Sequence, residues 1–234
     1  NYTMKFILQI KEFILTNSNK ITGVLCVLAV FLIYKNISSI SAPIEFNKVK
    51  TERYLKVIDR LKDIRNAQIA FKSVNGVYSN NFDSLINFVD TAEYTLIQKR
   101  DSSFLEYDRT YRIDMLREVV VIDTLGFASV KDSLFGTSNR YKNMAQVPIK
   151  GPEGYSFFKI KSEIIKKGDY DVPVFEVSVS KDIVLWDQNK DLLKQEKSLM
   201  SVDGVNGPSL VLGSLVEVNT NGNWPTTYDA IARN

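Results

Sequence analysis

The run Ile21 to Tyr34, ITGVLCVLAVFLIY, holds fourteen residues without a charge, and it constrains the chain more than any other feature. A bilayer core of roughly 30 Å takes about 20 helical residues at about 1.5 Å each. Continuation through Lys35-Asn36-Ile37-Ser38-Ser39-Ile40 reaches that length. Lys35 and Asn36 then fall near one interface, where a lysine carries its ammonium out to the headgroups. The expected transmembrane helix covers residues 21–42, with Ile21, Val24, Leu25, Leu28, Phe31, Leu32 and Tyr34 as its anchor in membrane lipid. Three other readings of the run are weaker. Pro43 directly after Ser39-Ile40-Ser41-Ala42 disfavours signal cleavage after Ala42, and Leu25 before Cys26 excludes a lipoprotein signal. A core helix fits fourteen apolar residues, but the flanking charge weighs towards the anchor.

That charge is concentrated at the N-terminus. The first 35 residues hold Lys5, Lys11, Lys20 and Lys35 against Glu12, which accounts for the whole formal net charge of +3. The remaining body is balanced, whereas a nucleic-acid-binding domain shows a basic face and usually a basic balance, so no nucleic-acid partner is expected. Lys5, Lys11 and Lys20 precede the span, and the positive-inside rule puts the N-terminus in the cytoplasm. Residues beyond about 42 then lie outside, which in a bacterium means an inner-membrane protein with a periplasmic domain. Ahead of the span, residues 1–20 form an interfacial or cytoplasmic segment. Within it, Phe6, Ile7, Ile10, Phe13 and Ile14 share one helical face opposite Lys5, Gln9 and Glu12. A helix lying in the interface and an extension of the spanning helix fit this pattern equally.

Histidine is absent and Cys26 is the one cysteine among 234 residues. Serine–histidine and cysteine–histidine nucleophiles, most zinc sites, internal disulfides and CxxC redox pairs are thereby excluded.

The body, residues 43–218, opens at Ala42-Pro43, where a helix break is expected. From Phe46 to about Val74 the period is helical. Tyr54, Val57, Ile58, Leu61, Ile64, Gln68 and Phe71 make a stripe at spacings of three and four. Glu52–Lys56 and Asp59–Lys62 support the opposite side, and Asn75-Gly76 supplies the stop. Either a sheet or a partner must cover the stripe, and an exposed patch on it would favour an assembly role. Asn81-Phe82-Asp83-Ser84 opens a second short helix. Strands are expected at Tyr94–Gln98, Tyr111–Asp114, Val119–Thr124, Ser156–Lys161, Val174–Ser180 and Leu210–Val218. In Val174–Ser180, Phe175, Val177 and Val179 alternate with Glu176, Ser178 and Ser180, the pattern of a half-buried antiparallel strand. Asp187 to Met200 reads as a short solvated helix and loop, and residues 219–234 as a turn-rich tail that Trp224 can anchor. Helices followed by antiparallel strands make the fold class α+β, a long amphipathic helix packed on an antiparallel sheet.

Candidate chemistry is sparse. Asp187-Gln188-Asn189-Lys190-Asp191 starts like a calcium loop, but Leu192 and Ser198 replace the glycine and glutamate it requires. Ser178 and Lys181 have S-x-x-K spacing, but across a strand end, where residues three apart face opposite sides. Gly151-Pro152-Glu153-Gly154 is a turn rather than a phosphate loop. Asp59, Asp63, Asp83 and Asp90 have no spacing that converges them. Beside Arg65, Gln68 sits on the apolar stripe, and a buried amide there calls for a bond to a loop backbone near Asn75–Tyr78. No catalytic residue, cofactor or metal ligand is expected.

The stretch Leu61–Val89 carries IRNAQIAFKSVNGVYSNNFDSLINFV. It resembles the region of type IV pilins and type II secretion pseudopilins in which an amphipathic helix with R-x-A-Q ends at N-G-x-Y. It is also similar to single-pass envelope proteins of Bacteroidota with the same series and F-D-x-L-I. The resemblance implies a membrane-anchored pilin-like domain. The prepilin Phe-Thr-Leu-x-Glu is missing before the span, so processing into a filament is not implied. Together these features describe a non-enzymatic structural component of an envelope-spanning secretion, motility or injection assembly, with other envelope proteins as partners. The alternatives are a membrane-anchored periplasmic binding or sensory module and an enzyme built on carboxylates, hydroxyls and lysine.

Overall fold

The structure is a computed structural model that describes residues 18–228, with the backbone alone described at 18, 19, 21, 36–38, 96 and 108. The amphipathic pattern of residues 4–15 and the end of the tail lie outside the described residues. Two compact units divide between Glu52 and Arg53.

One helix, α1 (Ser18–Asn75), passes through both units and keeps Pro43 in its interior. The break expected at Ala42-Pro43 is therefore absent. Proline removes one backbone donor and crowds the preceding turn at a cost of about 3 kcal/mol, which kinks or strains a helix as often as it ends one. In the first unit α1 is apolar and long enough to cross a membrane, and Val24, Leu25, Leu28, Phe31, Leu32 and Tyr34 are all exposed on it.

The second unit is α+β with antiparallel sheets only. After α1 come α2 (Phe82–Thr91), β1 (Glu93–Asp108), β2 (Ile113–Ser129), α3 (Val130–Phe135) and a 3-10 turn at Arg140–Asn143. Then follow β3 (Gln146–Gly151), β4 (Gly154–Phe157), β5 (Lys159–Lys167), β6 (Tyr170–Ser180), α4 (Lys181–Val184), α5 (Lys190–Lys197) and β7 (Ser209–Gly213). β5, β6 and β7 make a three-stranded sheet in that order, while β1–β2 and β3–β4 are separate pairs. The expected alternation holds on β6, where Phe175, Val177 and Val179 are buried and Glu176, Ser178 and Ser180 are half-buried.

The core joins α1 to this sheet unit. Tyr54, Val57, Ile58, Leu61, Ile64 and Ala67 are fully buried, together with Leu85, Phe175, Leu210 and Leu212. Gly76 ends α1 at φ +78°, a left-handed cap that glycine takes without a Cβ penalty. Asn81 caps α2 by accepting from the Asp83 amide at 2.8 Å. At Gly213, also at φ +78°, a Cβ would lie 2.3 Å from the Phe175 carbonyl, so the close approach of β7 to β6 requires glycine.

The strands run differently from the sequence expectation in three places. Tyr94–Gln98 and Val119–Thr124 extend into one long pair, and Tyr111 falls in its turn rather than in a strand. Ser156–Lys161 is split at Phe158 between β4 and β5, because the Phe158 amide turns inward to the Ala145 carbonyl. Leu210–Val218 stops at Gly213, where the positive φ ends the ladder. The start of the expected tail is tied down: Gly222 bridges Leu212, and Asn223 bonds Val211 through both backbone and side chain. The Trp224 ring occupies the space above Gly222, and Tyr228 is buried with its ring 6.2 Å from that of Tyr54.

Candidate functional site

The helical stripe is core. Tyr54, Val57, Leu61, Ile64 and Gln68 have no exposed surface, and half-buried Phe71 meets Phe88 edge-on at 5.0 Å between ring centres. Within Tyr54–Phe71 the one exposed large apolar residue is Ile69, which lies off the stripe. Gln68 makes a two-way bond with one loop residue: its Nε2 donates to the Ser79 carbonyl at 2.7 Å and its Oε1 accepts from the Ser79 amide at 2.9 Å. The partner is one residue beyond the expected loop, and both groups of the amide are satisfied.

Below the stripe lies a polar cluster that spacing does not reveal. Lys181 is fully buried, and its Nζ donates to the Glu196 and Val205 carbonyls at 2.7 Å each and to Glu196 Oε1 at 3.1 Å. Tyr54 Oη donates to the same Glu196 oxygen at 3.2 Å. Burial first, and the Glu196 carboxylate second, push the Tyr54 hydroxyl far above its ordinary value, so it stays a donor. A buried ammonium needs such a set of oxygens to offset its desolvation. The sequence separation of 15 residues for the lysine and 142 for the tyrosine hides the cluster. The one available signal is Tyr54 itself, a hydroxyl on a buried stripe that must find an acceptor. Lys181 is thereby committed to structure, and S-x-x-K chemistry with Ser178 has no free base.

The calcium-like loop is likewise used for docking. Arg53 holds both Asp187 oxygens, at 2.6 and 2.8 Å, and also donates to the Val184 carbonyl. The guanidinium bonds draw the Asp187 carboxyl down to about 2. Asp63 pairs with Arg140 at 2.9 Å, and Asp90 accepts from the Tyr141 hydroxyl, which raises that phenol above its usual value. Of the four carboxylates, Asp63 thus ties α1, and Asp90 ties α2, to the turn at Arg140–Asn143. Among the described residues no cluster of three or more metal-capable groups is found. A cavity of about 390 Å³ opens beside Trp186, lined by Asp182, Leu193, Lys194 and Lys197. The Asp182 carboxyl there is lowered chiefly by the Lys197 bond, so that pair neutralises itself.

A long run of exposed apolar side chains in the second unit lies on the β1–β2 ribbon. Its 16 and 17 residues make a hairpin about 50 Å long. The register alternates two faces. Phe104, Met115, Val119 and Val121 lie on one, and Ile97, Leu105, Leu116, Val120 and Ile122 on the other, all of them exposed. At its root the Val130 amide bonds the Ala92 carbonyl, and α2 and α3 pack together. Beyond the root both faces are exposed, and neither edge is paired among the described residues. Arg100 to Asp123 at 2.6 Å and Arg117 to Glu106 at 2.7 Å are diagonal ion pairs on a single face.

These features define a class: an α+β chain whose N-terminal helix is apolar enough to span a bilayer and whose second unit carries a long exposed ribbon. No protein-family model matches the chain, and no curated protein or solved structure matches it.

Proposed function

We propose that the protein is a non-enzymatic, single-pass inner-membrane component of an envelope-spanning assembly, with a pilin-like α+β domain in the periplasm. The observation that carries this reading is the ribbon. A two-stranded hairpin is marginally stable alone in water, and large exposed apolar patches on soluble domains mark interaction sites. Here more than ten large apolar side chains between Ile97 and Phe127 are open to solvent on both faces. A strand that is apolar on both faces belongs in an interior, and its partners are other envelope proteins. The helix Ser18–Asn75 supports anchoring by its length and apolar exposed half.

Crosslinking mass spectrometry on intact cells, followed by mild-detergent extraction and native sizing, tests the reading. Recovery in a large complex, with crosslinks from residues 93–129 to other envelope proteins, is the expected result. A lone monomer without crosslinks from the ribbon sinks it. The cavity beside Trp186 then becomes the place to screen for ligands of a binding or sensory module.

A further inference from the structure

We infer that the open edge of β2 pairs antiparallel with the same edge of a second copy, about a two-fold axis at Val120, joining two ribbons into a four-stranded sheet. This partner choice rests on the assembly reading and names one occupant of its exposed surface. Three observations carry it.

The first is the asymmetry between the two edges. The middle of β1 is Gln98-Lys99-Arg100-Asp101-Ser102-Ser103, whereas β2 opposite it reads Val119-Val120-Val121-Ile122. Charged residues protect an edge from pairing, and a proline-free apolar run invites it. β1 is built as an outside strand and β2 as an inside one.

The second is charge complementarity. With Val120 opposite its own copy, Val119 meets Val121, Leu116 meets Thr124, and Arg117 meets Asp123, each twice by symmetry. Slipping by one residue in one direction sets Glu118 against Asp123. Slipping in the other sets Arg117 against Ile122 and Asp123 against Leu116. Among registers that lay the two Val119–Ile122 runs together, the two-fold at Val120 alone mates opposite charges. Exposed pairs of this kind contribute little affinity, so their role is to fix the register.

The third is continuity with the ion pairs already formed. Arg117 is bound to Glu106 and Asp123 to Arg100 within one ribbon, all four on the same face. Joining the edges at Val120 lines these up across four strands as Glu106, Arg117, Asp123, Arg100, alternating in sign. The same row repeats on the other side of the axis.

The test uses the full chain in its native membrane, with Cys26→Ser and single cysteines introduced by Val120→Cys or Asp101→Cys. Asp101 lies directly across the ribbon from Val120. In the proposed sheet it stands three strand spacings, about 14 Å, from its copy. A disulfide spans at most about 7 Å between Cα atoms. Mild oxidation is expected to give at least tenfold more covalent dimer at 120 than at 101. Equal linkage at both sites, linkage at 101 alone, or none at 120 overturns the inference.

A second arm addresses register. Combined with Val120→Cys, Arg117→Glu on one tagged chain and Asp123→Arg on another should each lower self-linkage several-fold. Each single variant sets like charges together twice, while co-expression restores opposite charges and links the two chains. Self-linkage of either variant alone at the parental level overturns the register. Crosslinks from residues 93–129 to other proteins, with no linkage at 120, would defeat self-pairing and leave the assembly reading standing. Neither kind of link would defeat both.

Discussion

β6 and β2 are both built on valine, yet β6 disappears into the protein and β2 stands in the open. β6 has β5 on one side and β7 on the other, and its Phe175 and Val177 are fully buried while Tyr78 packs on Phe175 at 4.6 Å between ring centres. β2 has one neighbour, and every residue from Ile113 to Ile122 is exposed to solvent. Their β propensity is alike, so propensity does not separate them. The side-chain alternation does: β6 carries polar residues on its outward positions, whereas β2 places apolar residues on both. A strand of the second kind has no solvent face of its own. In the proposed assembly a partner supplies the cover that the single chain does not.

The comparison is tested most severely by placing one charge in each region. Ile64→Asp puts a carboxylate at a fully buried point of the stripe, and the expected loss is about 4 kcal/mol or more. Thermal unfolding by circular dichroism reads it. A negligible shift in melting would mean that the stripe is not core, and the contrast with the ribbon would collapse.

Next in size is the buried cluster. Lys181→Met removes the ammonium from Glu196 and the Val205 carbonyl. Breaking one side of a buried pair costs about 3–5 kcal/mol. Lys181→Met with Glu196→Leu removes both charges, and chemical denaturation should show part of the loss recovered. Equal destabilisation by the single and double changes would mean that the cluster acts through packing instead.

How much of this was legible from the chain alone follows the same division. Helical spacing marked Tyr54, Val57, Leu61 and Ile64, because a burial face on one helix repeats locally. The β6 alternation and the Asn81 cap were legible for the same reason, and Gln68 missed its partner by one residue. Features made by distant residues were not. Lys181 and Glu196 meet through α4 and α5, and nothing in either segment points to the other. The ribbon was broken into short strands because Lys99–Ser103 interrupts the apolar pattern. β1 is extended there by pairing with Val119–Ile122 rather than by its own period. Pro43 stands inside α1, where a helix extended on both sides outweighs one proline's local stopping power.

A smaller effect concerns how the loop after α4 is held to α1. The Arg53 bonds lower the Asp187 carboxyl from 3.8 to about 2. A depressed folded value means the contribution is fully present above the unfolded value and fades as pH falls through the folded one. Stability supplied by this pair should therefore be lost between about pH 4 and pH 2. The Asp187 side chain is 35% exposed, and screening reduces the expected contribution to about 1 kcal/mol. Arg53→Met should flatten that part of the pH–stability profile by this amount relative to the parent. An unchanged acid limb would show that the pair contributes nothing to holding the loop.

The smallest expected effect on folding belongs to the ribbon, and there the smallness is the point. Val120 is 58% exposed and lies opposite Asp101 in its own hairpin. Val120→Lys, measured as a dilute monomer in detergent, should change unfolding stability by no more than about 0.5 kcal/mol. The same substitution should remove protection from hydrogen exchange along 116–124 in the membrane, where an edge bonded to a second copy closes its amides. A loss of stability comparable to that from Ile64→Asp would place the ribbon in the core of the single chain. Unchanged stability with lost protection would separate what folds this protein from what it folds for: α1 and the β5–β6–β7 sheet hold the body together, and β2 holds what is joined to it.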